Sequence, residues 1–142
     1  MFKSVILAAF LGLFSLTIHA SEPEIPTGRQ LQAKVEAQTR VIDTASLKKL
    51  IDESPDLVLV DIRTPGEIQK HGGTIEVAQN MNIVRGWLEF SIQNKVLDID
   101  SPIVVYCGGG LRSPFAAKTL QDMGYTNVWN YAEGFFGWRD AQ

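Results

Sequence analysis

The sequence predicts an α/β domain: a mainly parallel sheet of about five short strands, with helices on both faces. Three observations predict it. Short runs of β-branched and aliphatic residues alternate with segments of helical periodicity. The clearest run, Ile103-Val104-Val105-Tyr106, is apolar at every position, as a strand covered on both faces must be. The chain has 142 residues, 45% apolar and 20% charged, which suits one globular domain.

The elements follow in order. Residues 1–20, MFKSVILAAFLGLFSLTIHA, carry one early positive charge, Lys3. An apolar run and a short polar end closing on Ala20 come next. This is the pattern of a secretory signal peptide, and the run of about 14 residues is shorter than the roughly 20 of a membrane-spanning helix. Residues 21–38 read as an N-terminal linker or loosely docked helix, and the domain proper occupies 39–142. Arg40–Ile42 is a short strand. Asp43 or Thr44 caps a helix through about Asp52, with Leu47, Leu50 and Ile51 on one face. Leu57–Ile62 is a buried strand, and residues 63–80 form a polar, glycine-containing connection with a short helix at 65–69. A brief strand at 80–83 precedes a helix around 86–95 with Trp87, Leu88 and Ile92 on its apolar side. After the strand at 103–106, Ser113 is expected to cap a helix that has Pro114 at its first position and Gly124 at its end. A strand at 127–130 and a helix at 134–140 complete the chain. There is no internal repeat and no low-complexity segment.

Composition excludes several function classes. A formal charge of −3 gives no basis for binding nucleic acid or an anionic membrane surface. Cys107 is the only cysteine, so no internal disulfide and no multi-thiolate metal site can form. No metal constellation and no organic cofactor are expected. With cleavage near Ala20 the protein is exported, most simply to a bacterial periplasm, with no stable membrane anchor. A lone thiol in that oxidising compartment is either buried and inert or reactive.

The chemistry is placed at the end of the clearest strand. Cys107-Gly108-Gly109-Gly110-Leu111-Arg112-Ser113 joins that strand to the next helix. Ligands in open α/β sheets bind at the carboxyl ends of strands, and a helix N-terminus offers unpaired amides. Three glycines let the loop present its own N–H groups, and Arg112 adds a permanent positive charge. Surroundings of this kind favour thiolates, the nucleophilic form of cysteine.

The segment Tyr106-Cys107-Gly108-Gly109-Gly110-Leu111-Arg112-Ser113, with the helix running on to Gly124-Tyr125, resembles the active-site segment of the rhodaneses, a sulfurtransferase family. Upstream, Asp61-Ile62-Arg63-Thr64-Pro65-Gly66-Glu67 resembles the family's Asp-x-Arg-x-x-x-Glu segment. Downstream, Glu133-Gly134-Phe135-Phe136-Gly137-Trp138 resembles its closing segment. The three motifs stand in the family's order over about residues 39–140. The sequence departs from the family pattern in the loop at 71–80, with His71-Gly72 in reversed order and extra residues before Ala78 and Asn82-Ile83. Glu133 also replaces the first closing glycine.

The resemblance implies a rhodanese-like three-layer fold and a persulfide carried on Cys107. The donor would be a small sulfur-containing anion such as thiosulfate, and the acceptor cyanide, a thiol or a partner thiol protein. Gly108, Gly109, Gly110, Leu111, Arg112 and Ser113 would bind substrate, and Asp61 and Arg63 would brace the loop. Cys-x4-Arg is one residue shorter than the Cys-x5-Arg of related phosphatases and arsenate reductases. One residue adds up to ~3.5 Å of chain, so the shorter loop suits a single extra sulfur rather than a tetrahedral oxyanion. Two alternatives stay open: an arsenate-reductase or cysteine-phosphatase-like enzyme, and a non-enzymatic sulfur-carrier or redox-binding module.

Other residues receive ordinary readings. His71 is a solvated loop residue, or else stands at the site entrance. Asp61 and Arg63 are alternatively an ion pair within their loop, with Glu67 as a further partner. Trp87, Phe90, Phe135, Phe136 and Trp138 are core, Tyr106 is a strand residue with a bonded hydroxyl, and Asp98 and Asp100 flank a turn. Gly108-x-Gly110 lacks the third glycine of a dinucleotide fingerprint. N-terminal sequencing of exported protein is expected to begin at Ser21; a retained Met1 would contradict the signal-peptide reading.

Overall fold

Short segments of three to four residues form five strands: β1 (Arg40–Ile42), β2 (Val58–Asp61), β3 (Asn80–Asn82), β4 (Ile103–Tyr106) and β5 (Val128–Tyr131); β4 is the most apolar, and β3 is Asn-Met-Asn. The computed structural model describes residues 24–142; the proposed signal peptide at 1–20 lies outside the described residues. The strands pair in the order β1-β5-β4-β2-β3, and every pair is parallel. Parallel strands require crossovers, and α2 (Thr44–Glu53), α3 (Pro65–Lys70), α4 (Leu88–Ser91) and α5 (Ser113–Asp122) lie in them, while α1 (Gly28–Glu36) precedes β1 and α6 (Gly134–Asp140) follows β5. Among the described residues no helix is long and apolar enough to cross a membrane.

The central strand β4 is buried at all four positions, and its alternating side chains feed two cores. Ile103 and Val105 face one core with Leu88, Ile92, Ala116, Ala117 and Leu120 from α4, α5 and the adjoining turn. Val104 and Tyr106 face the other with Leu47 of α2 and Phe135 of α6. Each fully buried aliphatic side chain is worth about 1.5–3 kcal/mol. The sheet order places β4 between β5 and β2, so the turns that follow these strands lie close to the end of β4.

Two local expectations are corrected. The helix expected around 86–95 is a 3-10 turn at Arg85–Trp87, a single α turn at Leu88–Ser91 and a second 3-10 turn at Ile92–Asn94. Leu88 and Ile92 are buried, but Trp87 is 65% and Phe90 70% exposed. The tighter winding turns both rings outward, where they meet edge to face at 6.2 Å. Ser113 is not a cap: it is the first residue of α5, after Arg112, and no side chain caps that end. Asp43, not Thr44, caps α2, its carboxylate accepting from the Ser46 amide. α1 lies against α5 with none of its residues fully buried.

Asp61 and Arg63 form a wholly buried ion pair at the carboxyl end of β2, with Arg63 Nη2 donating to Asp61 Oδ2 at 2.6 Å. Arg63 also donates to the Gly73 carbonyl, and its guanidinium carbon lies 4.2 Å from the centre of the Phe135 ring. Asp61 further accepts from Thr74 Oγ1, and Tyr106 Oη shares a hydrogen bond with that hydroxyl. Asp61→Ala leaves the Arg63 charge buried without its counter-ion and is expected to cost about 3–5 kcal/mol in urea unfolding. A loss below about 1 kcal/mol, the range of exposed pairs, would refute this placement of the pair.

Candidate active site

β4 ends at Tyr106, and the strand's alternation sends the Cys107 side chain to the α5 face, beside Val105 and Ala116. Cys107 is 1% exposed. The chain then folds back over residues 108–112, which requires the backbone of Gly110 at φ +75. A Cβ at Gly110 would also lie 1.9 Å from the Ala132 carbonyl oxygen, so only glycine fits there. Gly134, at φ +61, permits an equally close approach from the other side: a Cβ there would stand 2.6 Å from the Gly108 oxygen and 2.7 Å from the Cys107 oxygen.

That approach lets the first amides of α6 hold the loop. Phe135 N donates to the Cys107 carbonyl at 2.8 Å, and Phe136 N to the Gly108 carbonyl at 3.0 Å. The amides of Gly108 through Arg112 donate to no acceptor among the described residues. The loop thus has its first carbonyls occupied and five consecutive donors free, the polarity of an anion-binding nest. Cys107 Sγ lies 3.8 Å from the Ser113 hydroxyl, which turns toward the sulfur instead of capping α5.

Arg112 closes the loop and is half-exposed at the rim, but it is not a free cation. Its two terminal nitrogens donate to the two carboxylate oxygens of Glu67, at 2.5 and 3.2 Å. Glu67 is itself fixed by a capping box at the start of α3: Thr64 N and Oγ1 donate to Glu67 Oε2, and the Glu67 amide donates back to Thr64 Oγ1. The Arg112 hydrogen bonds, followed by the Thr64 amide, lower the Glu67 pKa to about 2. Arg112 is raised in turn, chiefly by Glu67 and secondarily by the nearby Cys107 sulfur.

Cys107 and its loop glycines share a pocket of about 300 Å³ with Glu67, His71, Leu111, Arg112 and Phe136. The structure therefore brings Cys107, Gly108, Gly109, Leu111 and Arg112 to one cavity, with Gly110 and Ser113 behind them. Asp61 and Arg63 are elsewhere. Neither side chain bonds residues 107–113; they fix the turn at Gly73–Thr74 and the Phe135 ring, and reach the loop only through α6. Glu67 pairs with Arg112 rather than with Arg63.

Of the two readings of His71, its position matches the site entrance rather than a solvated loop: it lines the pocket, and its ring meets Phe136 edge to face at 5.0 Å. Phe136 likewise lines the site instead of the core proper. Sequence reasoning missed the Glu67–Arg112 pair. The spacing Thr64-Pro65-Gly66-Glu67 was its signal, because a capping box fixes where the carboxylate stands. Tyr106 keeps its bonded hydroxyl, with Thr74 and Asn80 as partners. The Asp100 amide donates to Asp98 across the expected turn. Among the described residues no cluster could hold a metal ion.

Known proteins resemble this chain in sequence and in fold. The model of the rhodanese-like domain matches residues 43–141. A sulfurtransferase of Allochromatium vinosum is 32% identical over 97 residues, which cover 68% of this chain and 85% of that protein. The polysulfide-sulfur transferase homodimer of Wolinella succinogenes is 30% identical with a TM-score of 0.69, covering 78% of this chain and 80% of that one. A Rhodopseudomonas palustris protein of unknown function, described as a possible tyrosine phosphatase, is 34% identical with a TM-score of 0.71, covering 84% of this chain and 95% of that one.

Glu67→Gln removes the carboxylate that neutralises Arg112. Binding of a small dianion such as sulfate, measured by calorimetry, is expected to tighten by about 1 kcal/mol or less, up to roughly fivefold, because the pair is partly exposed. Glu67 titrates lower in the folded protein than its ordinary value of 4.5. Its contribution to stability is therefore present above that value and lost as pH falls toward about 2. The Glu67→Gln variant should lack that acid-dependent loss, and identical acid-unfolding curves would show that the pair is not formed.

Proposed function

The chain belongs to the rhodanese family, and from that premise we propose that it is a sulfurtransferase that carries sulfane sulfur as a persulfide on Cys107. The observation that supports this reading best is the Cys107 loop itself. A buried thiol stands at the foot of a short loop whose leading carbonyls are engaged by α6 and whose amides of residues 108–112 are free.

The Cys107 thiolate attacks the terminal sulfur of a donor such as thiosulfate. A sulfur–sulfur bond forms at Cys107, the sulfur–sulfur bond within thiosulfate breaks, and sulfite leaves with the electron pair. The loop amides stabilise the persulfide anion, as preorganised donors do wherever charge is held. An acceptor then attacks the outer sulfur and returns the electron pair to Cys107: cyanide leaves as thiocyanate, or a thiolate as a new persulfide. Arg112 holds the anionic donor through its planar fork, in competition with Glu67. No metal or organic cofactor enters either step.

The four residues between Cys107 and Arg112 support sulfur transfer over phosphoryl or arsenate chemistry, which needs the wider ring. A role as a non-enzymatic sulfur carrier uses the same persulfide and differs only in how the acceptor arrives. The proposal includes export to the periplasm, on the strength of residues 1–20 alone.

Intact mass after thiosulfate treatment is expected to rise by one sulfur atom and to return to its starting value with cyanide. Cys107→Ser should abolish both changes, because a hydroxyl does not ionise near neutral pH. Arg112→Ala should impair donor use strongly, and Arg112→Lys should restore it in part, since a point charge replaces a two-pronged grip. Wild-type thiosulfate kinetics in Arg112→Ala would remove Arg112 from the mechanism.

A further inference from the structure

Three carbonyls of the Cys107 loop are held from outside it. Two of the holds, on Cys107 and Gly108, come from the amides of α6. The third comes from the opposite end of the chain: Gln32 Nε2 of α1 donates to the Gly110 carbonyl at 3.4 Å. Among the described residues, Gln32 is the only side chain that donates to a carbonyl of residues 107–112. α1 precedes residues 43–141, which match the family model, so this hold lies outside the segment the family shares. The end of the Gln32 amide that faces the loop is set by its neighbour. Arg29 Nη1 donates to Gln32 Oε1 at 3.3 Å, which leaves Nε2 for Gly110.

In a trans peptide the carbonyl of one residue and the N–H of the next point in opposite directions, and no peptide bond among the described residues is cis. A hold on the Gly110 carbonyl from the α1 side therefore turns the Leu111 N–H away from α1, to the inner side of the loop. Leu111 lines the thiol pocket together with Cys107. This peptide plane needs a hold, because reversing it turns ψ of Gly110, which has no Cβ to resist. Packing gives little support there: a cavity of about 410 Å³ separates α1 from Leu111 and Phe115. In the reversed position a carbonyl oxygen would replace the N–H on the inner side. From this geometry we propose that Gln32 is a positioning residue for sulfur transfer. By holding the Gly110 carbonyl, it keeps the Leu111 amide aimed at the sulfur carried on Cys107. Gln32 touches no substrate and acts through the Gly110–Leu111 peptide, with Arg29 behind it. The inference rests on the sulfurtransferase reading and assigns that site a residue from outside the shared domain.

The outer sulfur of the persulfide is the atom that meets the loop amides, so a misdirected amide shifts the balance between loaded and free Cys107. That balance is the readout: full-length protein is equilibrated with fixed ratios of thiosulfate and sulfite, and the loaded fraction is read by intact mass. Gln32→Leu keeps the side-chain bulk and removes the donor. Its loading constant is expected to fall about tenfold, roughly the weight of one hydrogen bond to an ion. Gln32→Lys restores a donor of similar reach and should recover part of the loss. Arg29→Ala should fall in the same direction by less. Urea unfolding of Gln32→Leu should match wild type, because α1 has no fully buried residue. Wild-type loading in Gln32→Leu, or no recovery in Gln32→Lys, overturns the inference while leaving sulfur transfer intact. If Gln32→Leu does not fold, Arg29→Ala decides, and wild-type loading in that variant overturns the inference. Wild type that gains no sulfur from thiosulfate overturns the sulfurtransferase reading itself.

Discussion

The contact on which the site depends is the pair of hydrogen bonds from the first amides of α6 to the carbonyls of Cys107 and Gly108. A loop joining a parallel strand to a helix must satisfy its own backbone. Here a helix from the far end of the chain takes the carbonyls, and the loop amides are left free. The close approach needs glycine at 110 and at 134, where any side chain would strike a carbonyl oxygen. The buried ion pair of Asp61 and Arg63 supports the same arrangement at one remove, because Arg63 lies against Phe135, the residue whose amide holds Cys107.

Charge at the rim is balanced as tightly as the backbone. Arg112 is the cation that the loop sequence advertises, yet Glu67 meets it with both carboxylate oxygens. Glu67 cannot easily swing away, since the same carboxylate closes the capping box of α3. An incoming anion therefore competes with a fixed carboxylate for the guanidinium rather than filling an open site.

The cores and the site are joined through β4. Its alternation sends Val105 and Cys107 to the α5 face and Tyr106 to the opposite face. There the Tyr106 hydroxyl anchors the turn at Thr74 through hydrogen bonds. Burial of one strand on both sides thus fixes the thiol on one face and, on the other, the turn that follows β2.

The sequence by itself determined the order and type of the main elements, because apolar periodicity and glycine or proline punctuation are local. It also singled out Cys107 as the candidate position, because a cysteine followed by three glycines and an arginine at the end of a buried strand needs no distant partner to be recognised. Short elements were less legible. The segment around 86–95 reads as one helix, but it winds as two 3-10 turns about a single α turn, which exposes Trp87 and Phe90, and periodicity does not record that pitch. Only the tertiary structure decided which charges meet. Arg63 has Asp61 two residues away and Glu67 four residues away, and Arg112 is distant from both in sequence. Parallel β2 and β4 bring α3 and the Cys107 loop to the same edge of the sheet, and so give Glu67 to Arg112. The same holds for His71 and Phe136 at the pocket wall and for α1 beside Leu111. Each is placed by the crossing of elements far apart in the chain, which no local pattern records.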